Sequence, residues 1–455
     1  MKNGKRSSFS GKLGYVLAAA GASVGLGNIW RFPYLAAKYG GGIFLIIYIV
    51  LALTFGYTMI VAETAIGRMT RKSPVGAFKS FGKKKWLSFG GWINAVIPVL
   101  IVPYYSVIGG WVIKYLVEYF RGNAKLLAED GYFTDFISNG VSTELCFVAF
   151  CAFTLIIIFA GVQNGIERVS KIMMPILIVL SVIIAVYSVT RPGAFAGVKY
   201  FLVPNVKNFS WMTVVSAMGQ MFYSLSIAMG ILITFGSYMK KDTAIEDSTR
   251  NVEIFDTGIA IMAGLMIIPA VFAFSGGDPD TLQAGPSLMF ITIPKVFQNM
   301  GFGTVIGIVF FLLVLFAAVT SSIALTESAV STFEDELGWG RKKATVLVGV
   351  IMLALGSLSS LGYGPLAGIK IIGMQFLDLF DFLTNSVMMP IAALLTSLFV
   401  SRVVGIDKIE AEIIHGESAF RRKKVFVVMI KYLCPVFAII ILLSSVANAL
   451  GWIKM

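Results

Sequence analysis

Charge is scarce in this 455-residue chain. Asp, Glu, Lys and Arg together make up 13% of it, about half the share in an ordinary soluble domain. Histidine is nearly absent: the single one, His415, sits in a charged stretch, so neither a metal cluster nor a Ser/His/Asp triad assembles around it. The three cysteines, Cys146, Cys151 and Cys434, all lie in apolar segments without metal-ligand spacing. They read as small buried hydrophobes, not as a disulfide framework or a metal site. Acidic residues number 24 against 37 basic ones, for a net charge of +13. In a soluble protein that surplus would suggest nucleic acid. In a chain this poor in charge it marks cytoplasmic loops facing anionic lipid headgroups, so no nucleic acid is expected. The first apolar run is not followed by an Ala-x-Ala cleavage pattern, and no signal peptide is expected.

What the chain has is apolar length. It is 57% hydrophobic, with a mean hydropathy of +0.85. Apolar runs fall at 13–37, 43–69, 87–120, 144–161, 170–190, 212–238, 256–274, 303–333, 344–361, 369–401 and 426–451. About 20 residues cross a bilayer, so these predict an all-α polytopic membrane protein of about eleven transmembrane helices. Every second connection is basic: Lys2 to Lys12, Arg68 to Lys85, Arg168 with Lys171, Lys240 to Arg250, Arg341 to Lys343 and Arg421 to Lys424. The positive-inside rule then places the N-terminus in the cytoplasm and, for an odd span count, the C-terminus outside a multi-pass cell-membrane protein. The long connection Gly276 to Met300, with its Gly/Pro punctuation and apolar piece Leu288 to Val296, reads as an external lid rather than a passive loop.

Two spans carry polar, helix-weakening stretches at mid-run. The first holds Ala22-Ser23-Val24-Gly25-Leu26-Gly27-Asn28, and the sixth holds Ser224-Leu225-Ser226-Ile227-Ala228-Met229-Gly230. Each glycine costs a helix interior about 1 kcal/mol relative to Ala. Broken helices in corresponding positions of two halves point to an inverted-repeat transporter; the general rule is itself drawn from the leucine-transporter fold. Open carbonyls attract cations and half-helix N-termini attract anions. The eighth span adds the hydroxyls of Thr320, Ser321 and Ser322. Such small residues serve close helix packing or give hard oxygen ligands for an alkali cation. Asp256 and Glu63 are lone acids inside apolar runs, which are functional candidates by default. Glu63 reads equally as a plain hydrogen-bond partner for backbone N–H groups freed by a broken helix. Arg31 can pair with Asp381 or Asp378.

At these residues the chain resembles the neurotransmitter:sodium symporter family, in its bacterial amino-acid transporter branch. The resemblance rests on Val24-Gly25-Leu26-Gly27-Asn28-Ile29-Trp30-Arg31-Phe32-Pro33-Tyr34, Gly40-Gly41-Gly42, Glu63 followed by Gly67-Arg68, Tyr104-Tyr105, Gly165-Ile166-Glu167, Ser224-Leu225-Ser226, Thr320 to Ala324 and Glu334 to Leu337. It implies a leucine-transporter fold with a 5+5 inverted repeat. The N-terminal segment would be 1–12, the first repeat 13–190, the second repeat 191–401 with the lid 275–301, and the last loop and span 402–455.

The resemblance also implies site residues. One sodium site would use Ser23, Asn28, Ser224 and Asp256, with a substrate carboxylate. A second would use Gly21, Val24, Ala317, Thr320 and Ser321. The substrate would meet the Leu26 and Gly27 N–H groups, Tyr105, and carbonyls of Ser23, Tyr223 and Ser224 with the Ser226 hydroxyl. Val24, Ile101, Tyr105, Tyr223, Met229, Ser321 and Leu325 would line its side-chain pocket. The outer gate would be Arg31 with Asp381. The inner gate would be Arg6 with Asp335, helped by Phe9 and Tyr238.

Departures from the family pattern narrow the reading. Gly25 stands where amine-transporting members carry an Asp, so the substrate should bring its own carboxylate to the first sodium site. Asp256 stands where many members carry Asn, and Ala260 stands where a leucine-type member carries Glu. Asp256 can then supply the charge that chloride supplies elsewhere, with Glu63 as a further charge-compensating candidate, and either acid can carry a counter-transported proton. The expected function is sodium-coupled import of a neutral hydrophobic or aromatic L-amino acid by alternating access, without chloride. A channel or sensor on the same fold would need a continuous pore, and an intramembrane enzyme would need a nucleophile with a base or metal that the sequence lacks.

Overall fold

A computed structural model describes residues 6–82, 84–276 and 285–449. In lipid every backbone polar group has to be satisfied internally, and the apolar runs fold accordingly into helices. Among the described residues nine are long and apolar enough to cross a membrane: Gly42–Thr70, Lys85–Phe120, Gly140–Phe159, Val162–Val189, Ile245–Ser275, Gly303–Leu337, Arg341–Leu361, Phe376–Val404 and Lys423–Asn448. A tenth crossing is the bent pair Lys12–Ser23 and Gly27–Lys38, whose halves meet at 53°. The pair Trp211–Ser224 and Ile231–Tyr238, interrupted at 225–230, makes the eleventh. We number these spans 1 to 11 along the chain, the bent pair being span 1 and the interrupted pair span 6. Among the described residues there is no strand, only isolated bridges such as Gly41 with Pro204.

Several boundaries differ from the hydropathy reading. Span 7 starts at Ile245 rather than 256, so Asp256 lies about three turns inside the helix rather than near its end. Its first turns are polar, and they are covered by the loop before span 11, which hydropathy does not register. Span 5 begins at Val162 with a wide π-type turn, so Arg168 and Lys171 lie on the helix and not in a loop. Span 10 begins at Phe376, because 362–375 forms turns. The expected lid falls partly at 277–284, outside the described residues. Its described part is helical over Leu288–Gln298, with Leu288, Phe290, Ile293 and Phe297 buried. Tyr115 of span 3 donates to the Phe290 carbonyl at 2.7 Å, fastening this segment to the bundle.

Small residues bring spans 2 and 6 into backbone contact. A methyl at Gly67 would lie 2.0 Å from the Ile233 carbonyl oxygen, and one at Gly236 would lie 2.5 Å from that of Thr64. Span 2 and the second half of span 6 therefore form a tight pair.

Candidate functional site

The breaks in spans 1 and 6 face each other at the centre of the bundle. The first half of span 1 ends at Ser23, where Val24 N–H still reaches the Ala20 carbonyl at 2.7 Å. Carbonyls beyond Ala20 have no following helical turn to accept from, the usual state of a helix C-terminus. Span 6 breaks through residues in the left-handed region: Ser226 (φ 52°), Ala228 (φ 59°) and Gly230 (φ 69°). For non-glycine residues this conformation costs about 1–3 kcal/mol each. Two contacts hold it: the Ser226 hydroxyl donates to the Ala22 carbonyl at 2.9 Å, and Ala228 N–H donates to Glu63 Oε1 at 2.7 Å. Glu63 thus sits at the start of the second half of span 6. It has no hydrogen bond to Asp256, and its Oε2 has no partner among the described residues.

One cluster of oxygens forms where span 1 meets spans 2, 6 and 7. The Asn28 amide donates to Ser224 Oγ at 2.9 Å and to Asp256 Oδ1 at 2.8 Å. Ser224 donates to the same carboxylate oxygen at 2.8 Å, and Tyr48 donates to Oδ2 at 2.8 Å. Asn28 Oδ1 accepts from Gly25 N–H at 3.2 Å. Asn28, Tyr48, Ser224 and Asp256 are all buried. The Ser23 hydroxyl turns back to the Ala19 carbonyl at 3.1 Å, which leaves its carbonyl as the group free to serve a ligand.

A second cluster lies against span 8. Ser321 Oγ is 3.2 Å from the Gly21 carbonyl, 3.1 Å from that of Ala22 and 3.3 Å from that of Val24. The Thr320 hydroxyl is 3.2 Å from the Ala317 carbonyl, and a methyl at Gly21 would lie 3.1 Å from Thr320 Cβ. All of these donors are hard oxygens, the class that suits alkali and alkaline-earth cations. Among the described residues no group of three or more His, Cys, Asp or Glu side chains is placed to hold a metal ion.

Between the clusters lies a tight cavity of about 30 Å³. It is lined by Ser23, Gly25, Leu26, Gly27, Asn28, Ile101, Tyr105, Tyr223, Ser224, Ser226, Met229, Ser321 and Leu325, together with Ala22. Val24, expected to line it as well, is fully buried outside the lining. Gly25 has no room for a side chain: a methyl there would lie 2.6 Å from Ser321 Oγ and 3.0 Å from the Tyr105 hydroxyl. Leu26 N–H donates to that hydroxyl at 3.2 Å, so the N-terminus of the second half of span 1 opens onto the cavity.

The cavity's two ends differ. At the end carrying the N-terminus, Arg6 pairs with Asp335 at 2.6 Å and donates to Ser331 at 2.7 Å and to Ser237 at 3.0 Å. Phe9 is buried edge-on against Tyr15, Phe235 and Tyr238. Tyr238 in turn donates to Glu327 at 2.7 Å. At the opposite end a vestibule of about 470 Å³ reaches Arg31, Asp378 and Asp381. The expected ion pair of Arg31 with Asp381 or Asp378 is not made. Arg31 lies over the Tyr223 ring at 5.3 Å, while Asp381 accepts from Asn385 at 2.5 Å and from Tyr104 at 3.2 Å. The open vestibule separates the two charges.

Sequence reasoning missed Tyr48, and it noted Gln220 only as a polar neighbour of the span 6 break, without a role. Gln220 donates to the Gly27 carbonyl at 3.0 Å, bracing the break in span 1. Tyr48 lies in an uninterrupted apolar run, where nothing distinguishes a hydroxyl aimed at Asp256 from a core aromatic. Gln220 stood beside the span 6 break and was a visible polar signal.

Comparison with known proteins agrees with this geometry. The model of the Sodium:neurotransmitter symporter family matches residues 6–130 and 131–452. An uncharacterized sodium-dependent transporter of Bacillus subtilis is 34% identical over 450 residues, covering 98% of this chain and 99% of its own. The sodium- and chloride-dependent GABA transporter 2 of Macaca fascicularis is 27% identical, over 88% of this chain and 73% of its own. Among solved structures, that of MhsT in complex with L-phenylalanine matches with a TM-score of 0.86 and 35% identity, covering 97% of this chain and all of that one. Broken spans, buried hard-oxygen clusters and the match along nearly the whole sequence lead to one conclusion: this chain is a sodium-coupled membrane transporter and belongs to the sodium:neurotransmitter symporter family.

Proposed function

We propose that the transporter imports a neutral hydrophobic or aromatic L-amino acid together with sodium, by alternating access and without chloride. The observation that carries this reading is the Asp256 carboxylate, which accepts from Asn28, Ser224 and Tyr48 beside the cavity. It puts a fixed negative charge where an anion would otherwise be needed to offset cations in a low-dielectric site. Gly25 leaves the cavity without an acid of its own, so the ligand that completes the site carries a carboxylate and meets the Leu26 and Gly27 N–H groups and Tyr105. Ile101, Met229 and Leu325 give an apolar lining, and the MhsT complex with L-phenylalanine supports an aromatic side chain there. The cavity is smaller than such a side chain, and Met229 is the flexible wall best able to yield.

On this reading sodium occupies two places. Ser23, Asn28, Ser224 and Asp256 hold one ion, and Gly21, Val24, Ala317, Thr320 and Ser321 hold the other. Each charge moving inward releases about 2.3 kcal/mol per 100 mV. The N-terminus is cytoplasmic, Arg6 with Asp335 is the inner gate, and Arg31 with Asp381 closes the vestibule when substrate is bound. The test is uptake into proteoliposomes over a panel of amino acids. Replacing sodium with potassium should abolish uptake of the preferred hydrophobic substrate, and replacing chloride with gluconate should change it less than twofold. Undiminished uptake in potassium, or a steep dependence on chloride, would refute the corresponding half of the proposal.

A further inference from the structure

The connection between spans 10 and 11 is more than a tether. Its short helix Ile406–Ile413 carries Glu412, whose carboxylate accepts from Arg68 at 2.8 Å and from Lys241 at 2.7 Å. Arg68 ends span 2 and is completely buried, and its guanidinium also donates to the carbonyls of Glu412 and Thr243. Lys241 and Thr243 belong to the loop that follows span 6.

A few residues on, the loop caps the start of span 7, and the start of span 7 caps that of span 11. Glu417 Oε1 accepts from the Glu246 N–H at 2.5 Å and the Asp247 N–H at 3.3 Å, in the first turn of span 7. The Glu246 carboxylate accepts from the Arg421 and Arg422 N–H groups, both at 2.8 Å, at the start of span 11. Glu246 also accepts from Tyr57 of span 2 at 2.8 Å, and Arg422 lies over the Tyr57 ring at 4.6 Å. Carboxylates at helix N-termini satisfy N–H groups that have no other partner. The connection is thus fastened to spans 2, 6 and 7 by buried charge and by backbone, and spans 2 and 6 are already locked by Gly67 and Gly236.

Its attachments to its own spans are looser. Span 10 ends in a wide π-type turn, Val400–Val404, followed by Gly405 at φ 88° with open space around its α-carbon. Span 11 is interrupted by another such turn, Met429–Leu433, just before Pro435. Turns of this kind, and prolines, are where helices bend.

We infer that residues 406–428 move with spans 2, 6 and 7 as one body, hinged at Val400–Gly405 and at Met429–Leu433, rather than staying with spans 10 and 11. The inference rests on the alternating-access reading above. It is tested by placing Asp247→Cys and Glu417→Cys together in a chain whose three native cysteines are replaced by Ala, and joining them with a short bifunctional thiol reagent. Uptake after joining should stay within twofold of uptake before it. A fall of more than tenfold that reduction of a cleavable linker reverses would overturn the inference. Hydrogen–deuterium exchange of the unaltered protein supplies a measurement that needs no variant. Exchanging sodium for potassium should change protection of 240–247 and 406–422 together, by similar factors. A change of more than fivefold in 240–247 with none in 406–422 would overturn it. Loss of sodium-dependent uptake in the unaltered protein would instead sink the transport reading itself.

Discussion

The two ends of the central cavity close by different physics. At the end carrying the N-terminus, an ion pair, two serine hydroxyls and a cluster of buried aromatics fill the path, with Phe9 only 1% exposed. At the other end the charged residues stand apart across a vestibule of about 470 Å³, and each makes a separate local contact. That contrast decides which end opens at low cost. Separating Arg6 from Asp335 breaks a partly buried, multiply hydrogen-bonded pair, whereas the Arg31 end has no such bond to break in this conformation. Both ends converge on the same clusters, so the comparison also shows where a ligand's energy has to act.

The largest effect is expected at the centre that both ends share. Asp256→Ala strips a carboxylate from three buried donors, and each charged hydrogen bond is worth about 1.5–3 kcal/mol. Sodium-dependent uptake should fall by about a hundredfold or more, measured as initial rate against sodium concentration. Uptake within threefold of the parent would remove Asp256 from the site.

Next comes the sealed end. Asp335→Ala leaves Arg6 without its carboxylate, a loss of about 1.5–3 kcal/mol for a hydrogen bond to a charged group. A reporter Thr234→Cys, buried in the parent, should then react with a thiol reagent added from the N-terminal side about ten- to a hundredfold faster. No change in that rate would mean that the pair does not hold this end shut.

Gly25→Ala probes the cavity directly. The added methyl would press on Ser321 and Tyr105, and overpacking of this kind costs about 1–3 kcal/mol. The half-saturating substrate concentration should rise about tenfold, and the purified protein should melt at a lower temperature than the parent.

The smallest effect is expected at the open end. Arg31→Gln removes a partly exposed cation over the Tyr223 ring, worth about 0.5–1 kcal/mol, and should change uptake by about two- to fivefold. An effect as large as that of Asp335→Ala would erase the contrast between the two ends.

Most of this architecture was legible from residue order. Apolar runs of sufficient length leave the backbone no alternative to helices, so the spans were visible, and Gly25 with Gly27 announced the first break. The second break was marked by Ser224, Ser226 and Gly230. What hydropathy could not show was where helices continue into polar sequence. Span 7 extends back to Ile245 because Glu417 and Arg422 supply partners from more than 160 residues away, and such partners leave no local trace. Tyr48 was hidden for a related reason: its hydroxyl is one atom in an apolar stretch. The Arg31–Asp381 pair was chemically reasonable, but its separation belongs to the conformation and not to the sequence.

The Ser321 hydroxyl holds a single hydrogen, yet three span 1 carbonyls surround it at 3.1–3.3 Å. It can serve only one of them at a time. The Ala22 carbonyl also accepts from Ser226, whereas those of Gly21 and Val24 keep lone pairs directed at the same small volume, a local surplus of negative potential at the tail of a half-helix. Such a surplus favours contraction around a compact cation and resists a bulky one. Ionic radius should therefore register here as backbone strain: lithium should support some fraction of sodium's uptake, while potassium and rubidium should support none.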